Sequence, residues 1–290
     1  MPEQSTDETL AHIPAQEQEW PGHTAPMEPS PDHGEQSWTG RERLTGKRAL
    51  ITGGDSGIGR ATATAFAQEG ADVAIAFLPE EAEDAEQVRA EVEKAGRTCV
   101  LIPADIRTEE AARDVAERAR SGLGGIDVLV SNAAFQMAQS DLEAFPPGQL
   151  ERTFQTNVFA TFWLTQAVAP TMDPGSAVLI TTSIQAFSPS EPLLDYAATK
   201  AALNNLMVNL AAMLGPKGIR VNAVAPGPIW TPLIPATFDA DKVKDFGADT
   251  PLGRAGQPIE VASAFVYLAS DEASYVSGTV LGVTGGKPVF

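Results

Sequence analysis

Apolar positions in this chain come in blocks. From Leu44 to the C-terminus, short runs rich in Val, Ile and Ala alternate with longer stretches of helical spacing. The short runs predict strands at Arg48–Thr52, Asp72–Phe77, Thr98–Ile102, Ile126–Val130, Ala177–Thr182, Arg220–Ala225 and near Thr279–Val283. The longer ones predict helices at Ile58–Glu69, Glu80–Ala95, Thr108–Ser121, about Gly148–Pro170, Asp195–Leu214 and Pro258–Ala269, with a loop and short helix after the sixth strand. Thr108 is the expected N-cap of its helix. Near-continuous apolar strands separated by helices imply a parallel sheet covered on both faces. Residues 44–290 contain no internal repeat and no linker, so the pattern predicts one doubly wound α/β domain.

Residues 1–40 break this pattern. They hold six prolines, eight acidic residues and no Lys or Arg, and lack a hydrophobic period. Such a segment reads as a solvated tail or a wrapped arm. Trp20 and Trp38 favour the arm, packed on the body or at a seam with a second subunit, because burying an indole removes much apolar surface from water. The boundary is expected at residue 43.

Composition narrows the function. A net charge of −18 argues against nucleic acid or an anionic membrane surface as partner. The single cysteine, Cys99, excludes an internal disulfide and fits a reducing compartment. The longest uncharged run, Thr153 to Met172, carries five threonines and reads as a buried helix rather than a membrane span. No secretory signal opens the chain, and a cytoplasmic location is expected. All three histidines, His12, His23 and His33, lie in the first 40 residues. Histidine-based triads and zinc sites are thereby excluded from the globular part, and no metal is expected.

Chemistry is suggested at two places. Thr52-Gly53-Gly54-Asp55-Ser56-Gly57-Ile58-Gly59-Arg60 sits between a strand and a helix. There Gly53 permits a sharp exit, Gly57 leaves room for a diphosphate, and Gly59 permits close helix–strand packing. The first helical N–H groups then face an anion. Further on, Tyr196 and Lys200 lie four apart on one helix face, and Ser183 stands thirteen residues before the tyrosine at a strand end. An ammonium about 4 Å from a phenol, at an effective dielectric near 20, is worth about 4 kcal/mol, or roughly three pKa units. That predicts a phenol near pKa 7, suited to acid–base work.

These residues together resemble the short-chain dehydrogenase/reductase family over residues 44–290. The family carries the Ser183, Tyr196, Lys200 spacing, an asparagine in the preceding long helix matched by Asn157, and a Pro-Gly after the sixth strand matched by Pro226-Gly227. Its Asn-Asn-Ala-Gly motif is altered here to Ser131-Asn132-Ala133-Ala134, which adds a methyl near the cofactor. The longer matches resemble a bacterial branch of aldehyde and sugar dehydrogenase-like members with a proline-rich N-terminal arm. The resemblance implies a seven-stranded Rossmann-type domain and an NAD(P)-dependent interconversion of a carbonyl and an alcohol. Tyr196 would be the general acid or base, Lys200 its modulator and a ribose ligand, Ser183 the orienter of the carbonyl, and Asn157 the holder of a water in a proton relay.

Implied cofactor contacts are Gly53, Asp55, Ser56, Gly57, Ile58 and Gly59 in the turn, and Phe77 and Leu78 after the second strand. Asp105 beside the adenine and Ile106 follow the third strand; Asn132, Ala133 and Ala134 follow the fourth. Pro226, Gly227, Ile229 and Thr231, the last at the nicotinamide amide, complete the set with Tyr196 and Lys200. Phe77-Leu78-Pro79 offers no strand-end acid to repel a 2′-phosphate, which favours NADP over NAD. The loop Pro232–Pro251 is expected to close over a small carbonyl compound or alcohol, with Trp230, Ile234 and Phe238 as apolar contacts. Apolar residues on more than one face of the long helix, and the family's habit of pairing it across subunits, imply a homotetramer. The rival reading is an idle dinucleotide-binding sensor or scaffold, which has no need of Ser183, Tyr196, Lys200 and Asn157 together.

Overall fold

The sheet is built from seven parallel strands in the order β3-β2-β1-β4-β5-β6-β7. The computed structural model describes residues 8–143 and 145–290. The strands are β1 (Arg48–Thr52), β2 (Asp72–Phe77), β3 (Cys99–Pro103), β4 (Val128–Ser131), β5 (Ala177–Thr181), β6 (Arg220–Pro226) and β7 (Val280–Val283). Helices α1 (Gly57–Gln68), α2 (Ala82–Lys94), α3 (Glu109–Leu123), α4 (Gln149–Phe154), α5 (Ala160–Val168), α6 (Leu194–Leu214), α7 (Ala240–Lys244) and α8 (Pro258–Ala269) make the crossovers.

Side-chain alternation divides the core. Ala49 and Ile51 of β1 face the cluster shared with Phe66 of α1 and Phe265 of α8, whereas Leu50 faces the cluster of α3, α5 and α6. Both faces are apolar, which is why the strands read as continuous runs. β1 lies between β2 and β4, so the strand order reverses there and opens a crevice at the carboxyl ends.

Boundaries moved where tertiary contacts intervened. Ile126 and Asp127 precede β4, because the Asp127 carboxylate accepts from the backbone N–H of Arg48 (2.9 Å) and its guanidinium (2.8 Å). Thr108 does cap α3, accepting from the N–H of Ala111 at 3.2 Å. The helix expected over Gly148–Pro170 is interrupted: Gln155–Phe159 forms a single π-helical turn between α4 and α5. Such turns concentrate at functional sites, and this one contains Asn157.

The arm lies on its own chain. Leu10, Ile13 and Met27 are buried with Trp230, Ile234, Val243 and Ala255. Trp38 packs against the α1/α8 core and donates its indole N–H to Glu69 at 3.1 Å. Trp38 thus finds its cover within its own chain. Among the described residues, no helix is long and apolar enough to cross a membrane.

Candidate active site

The crevice is a cleft of about 570 Å³. Its floor is knitted from three strand ends by one asparagine. The side-chain amide of Asn132 donates to the carbonyls of Thr52 (3.1 Å) and Gly53 (3.2 Å), and its oxygen accepts from the Thr181 hydroxyl (3.0 Å). The Thr52 hydroxyl accepts from the N–H groups of Asn132 and Ala133 at 3.0 and 3.1 Å. A Cβ on Gly59 would stand 1.8 Å from the Gly53 carbonyl oxygen, so this glycine is fixed by packing behind the turn, outside the cleft lining. Gly57, at φ +50°, faces Thr231, and a methyl there would lie 3.0 Å from its side chain. Ser56 occupies the N-cap of α1 without a side-chain hydrogen bond to the helix. The first amides of α1 thus remain available to an anion beside a turn held open by glycine, and this arrangement fits a dinucleotide diphosphate.

The remaining expected cofactor contacts line this cleft: Gly53, Asp55, Ile58, Phe77, Leu78, Asp105, Ile106, Ala133, Ala134, Pro226, Gly227 and Ile229. Two differ from expectation in their surroundings. Asp105 is bound bidentately by Arg107, with Nε at 2.8 and 2.9 Å, and this partner holds its carboxyl below the usual range. Asp55 is 1% exposed, with one carboxylate oxygen lacking a partner. Burial raises it to about 6. Glu81, just beyond β2, turns back to accept from the N–H of Leu78 (3.0 Å) and lines the cleft. Burial and the nearby Asp55 raise it to about 8. The end of β2 therefore does carry an acid, though one held protonated at neutral pH.

At the other end, Ser183 and Tyr196 line the cleft together, and the Ser183 hydroxyl accepts from the N–H of Gln185 at 3.1 Å. Lys200 is 1% exposed, donates to the Thr181 carbonyl at 2.8 Å, and stands 5.2 Å from the Tyr196 ring centroid. The expected drop of the phenol to about 7 does not occur. Burial pushes Tyr196 up to about 12 against the opposing effect of Ser183, and pushes Lys200 down to about 7. The ammonium points at a carbonyl and not at the phenol oxygen, so desolvation outweighs attraction in this geometry.

Asn157 lies behind these groups. Its oxygen accepts from the N–H of Phe135 (2.8 Å), and its amide donates to the Phe135 carbonyl (3.0 Å) and the Thr199 hydroxyl (3.0 Å). Both donor hydrogens of the amide are used, so the side chain clamps the turn after β4 to α6. Asp195, missed in the sequence, fixes the start of α6. Its carboxylate accepts from Thr153 (2.6 Å), Gln149 (3.1 Å) and the N–H of Tyr196 (2.8 Å). Trp230, expected over the substrate, is fully buried under the arm and donates its indole N–H to the Pro29 carbonyl at 2.7 Å. Leu233, Ile234 and Phe238 line the cleft from that loop. Trp20, read in the sequence only as an anchor of the arm, also lines it, as do Phe135, Gln136 and Arg152, which no motif announces.

A parallel sheet with a glycine turn at its switch point and a Ser–Tyr–Lys group across the cleft defines a dinucleotide-dependent oxidoreductase. Residues 53–287 match the family described as enoyl-(acyl carrier protein) reductase. The uncharacterized oxidoreductase YghA of Escherichia coli (strain K12) is 50% identical over 284 residues, covering 98% of this chain and 97% of its own length. The NADPH-dependent aldehyde reductase 1, chloroplastic, of Arabidopsis thaliana is 44% identical over 275 residues, covering 93% of this chain and 96% of its own. A short chain dehydrogenase from Burkholderia cenocepacia J2315 in complex with NADP superposes with TM-score 0.79 at 36% identity, over 84% of this chain and 98% of that one. The chain belongs to the short-chain dehydrogenase/reductase family and is an oxidoreductase of that family.

Proposed function

We propose that this protein interconverts a small carbonyl compound (aldehyde, ketone or sugar) and the corresponding alcohol, using NAD(P). The observation that carries the reading is Ser183, Tyr196 and the buried Lys200 meeting in the cleft that also holds the glycine turn. When bound, the nicotinamide supplies or accepts the hydride. Ser183 orients the carbonyl. Tyr196, protonated at neutral pH, donates a proton to the forming alkoxide in reduction and takes one back in oxidation. Lys200 is the residue placed to hold the nicotinamide ribose, and Thr231 and Ile229 to hold the amide side of the ring. Gly57, Ser56 and Ile58 would cradle the diphosphate.

NADP is favoured, with NAD also accepted. A protonated Glu81 offers a hydrogen bond without a charge, so the β2 end tolerates a 2′-phosphate and a hydroxyl alike. The NADPH named for the Arabidopsis relative and the NADP in the Burkholderia structure support the same preference. The protein acts in the cytoplasm as a homotetramer of 44–290 domains, each with its 1–43 arm. Phe159 and Phe162, 43% and 44% exposed beside Val158, Trp163 and Leu206, supply an apolar face for a second copy.

Replacing Tyr196 with Phe tests the chemistry. Turnover on an aldehyde panel should fall 10²–10⁴-fold, the usual size of a general-acid effect, with NADPH affinity unchanged within a few-fold. Lys200→Ala should weaken both. Retention of more than about a tenth of the turnover by the Phe variant would overturn the assignment.

A further inference from the structure

The arm crosses the cleft, and two of its residues, Trp20 and Pro21, belong to the cleft wall. Its path is fixed at both sides. On the α4 side the Trp20 ring meets Phe135 edge-on at 4.9 Å, and the Arg152 guanidinium lies 5.5 Å from the Trp20 centroid and 4.0 Å from that of Phe135. In the middle, Gly22 (φ +84°) passes so close to Pro232 that a Cβ would stand 2.6 Å from the Pro232 carbonyl oxygen. Thr231 and Pro232 are the residues facing Gly57 across the turn. On the far side the N–H of Thr24 donates to Asp84 of α2 at 3.1 Å. Gln18, just before the crossing, donates its backbone N–H to the Pro235 carbonyl at 2.8 Å. The strap thus runs from α4, over the loop that faces the glycine turn, to α2.

The end of the cleft under Trp20 is identified by its charges. Arg152 lies within electrostatic reach of Arg107, Asp105 and Glu80, which places the Trp20–Arg152–Phe135 group beside Asp105 on the cleft wall. Arg107 is taken up by Asp105, while the Arg152 guanidinium stacks on the two rings. Trp20 itself is only half-buried: one face rests on Phe135 and Arg152 and the rest borders the cleft. A half-buried indole at the edge of a nucleotide cleft offers a π-face to a base.

Resting on the reading of this cleft as an NAD(P) site, we propose that Trp20 of the N-terminal arm is a binding contact for the adenosine end of the dinucleotide, so that the arm completes the cofactor site of its own chain. The 98% coverage of this chain by the match to the E. coli relative spans nearly the whole arm, as expected for a part of the working molecule rather than an appendage.

The test uses the full-length protein with NADPH and NADH as probes. Nucleotide fluorescence titration gives Kd, and stopped-flow displacement gives the dissociation rate. Trp20→Ala should raise Kd for both nucleotides about tenfold, mainly through faster release, without lowering the melting temperature of the ligand-free protein by more than about 2 °C. Trp20→Phe keeps a ring against Phe135 and Arg152 and should return Kd to within about threefold of wild type. A Trp20→Ala Kd within twofold of wild type would overturn the proposal, as would equal losses in the Ala and Phe variants. If wild-type protein bound neither nucleotide, the reading of the cleft would fail together with it. Normal wild-type binding with an indifferent Trp20→Ala variant removes the arm contact alone.

Discussion

Asn157→Ala offers the sharpest test of how this site is held. The side chain makes three hydrogen bonds, two to the backbone of Phe135 and one to Thr199, and all the groups concerned are buried. Truncation leaves a backbone N–H, a backbone carbonyl and a hydroxyl to find new partners in the interior. Each unsatisfied buried group costs about 1–3 kcal/mol. Thr199 keeps its bond to the Tyr196 carbonyl at 2.6 Å, which lightens its share. The sum is then about 3–6 kcal/mol, a large part of a typical domain's 5–15 kcal/mol. For a domain of this size that corresponds to a melting temperature roughly 10 °C lower. Function should fall with it even where the protein remains folded, because Phe135 carries Arg152 and borders the cleft. The expected result at 20 °C is at least tenfold weaker NADPH binding alongside the stability loss. Asn157→Asp sharpens the reasoning. It keeps the acceptor for the Phe135 N–H but sets a carboxylate against the Phe135 carbonyl, so its stability should recover as pH falls and the carboxyl protonates. An Ala variant melting within 2 °C of wild type would refute the clamp, and a pH-independent deficit in the Asp variant would refute the donor argument.

Further outcomes follow from other contacts. Glu81 is raised from 4.5 to about 8, so the folded state holds a proton that the unfolded chain has lost between those values. Stability from this group is full below pH 4.5 and fades towards pH 8, so Glu81→Gln should gain on wild type across that window by roughly 1–3 kcal/mol. Urea melts at pH 5 and 8.5 check this, and parallel pH profiles would contradict it. Gly59→Ala should abolish nucleotide binding or folding, since the 1.8 Å approach is to backbone, whereas Gly57→Ala, with 3.0 Å to a side chain, should retain measurable binding. Calorimetric titration of both variants separates them, and equal effects would contradict the packing argument. Light scattering should give four times the 30.5 kDa chain mass, and Phe162→Glu should lower it. A wild-type monomer at micromolar concentration would remove the assembly proposal.

Much of this molecule was legible along the chain because its causes are local. Apolar runs of strand length fixed β1, β2, β5 and β6 to within a residue, and Thr108 capped its helix through a bond to Ala111, three residues away. Gly53, Gly57 and Gly59 announced a turn because φ above zero and a missing Cβ are written in the residue type. The spacing of Ser183, Tyr196 and Lys200 placed three side chains together because strand, turn and helix geometry carry it. What the chain could not disclose depended on partners far away in sequence. The π-helical turn at Asn157 accompanies a clamp on Phe135 and Thr199, and no helical propensity records such a clamp. Lys200 and Tyr196 took pKa shifts opposite to those a free helix face would give them. Their surroundings are decided by β5, which supplies the Thr181 carbonyl, and by burial under the rest of the fold. No motif marks Glu81, and only the turn before its helix sets it back onto Leu78 and near Asp55. The arm holds the widest gap between the two levels. Its prolines and acids predict little, yet Leu10, Ile13, Met27 and Trp20 each find apolar or aromatic surface that exists only once the sheet and its loops have formed. Local propensity sets the elements, whereas burial, charge and the meeting of distant segments set the chemistry of the site.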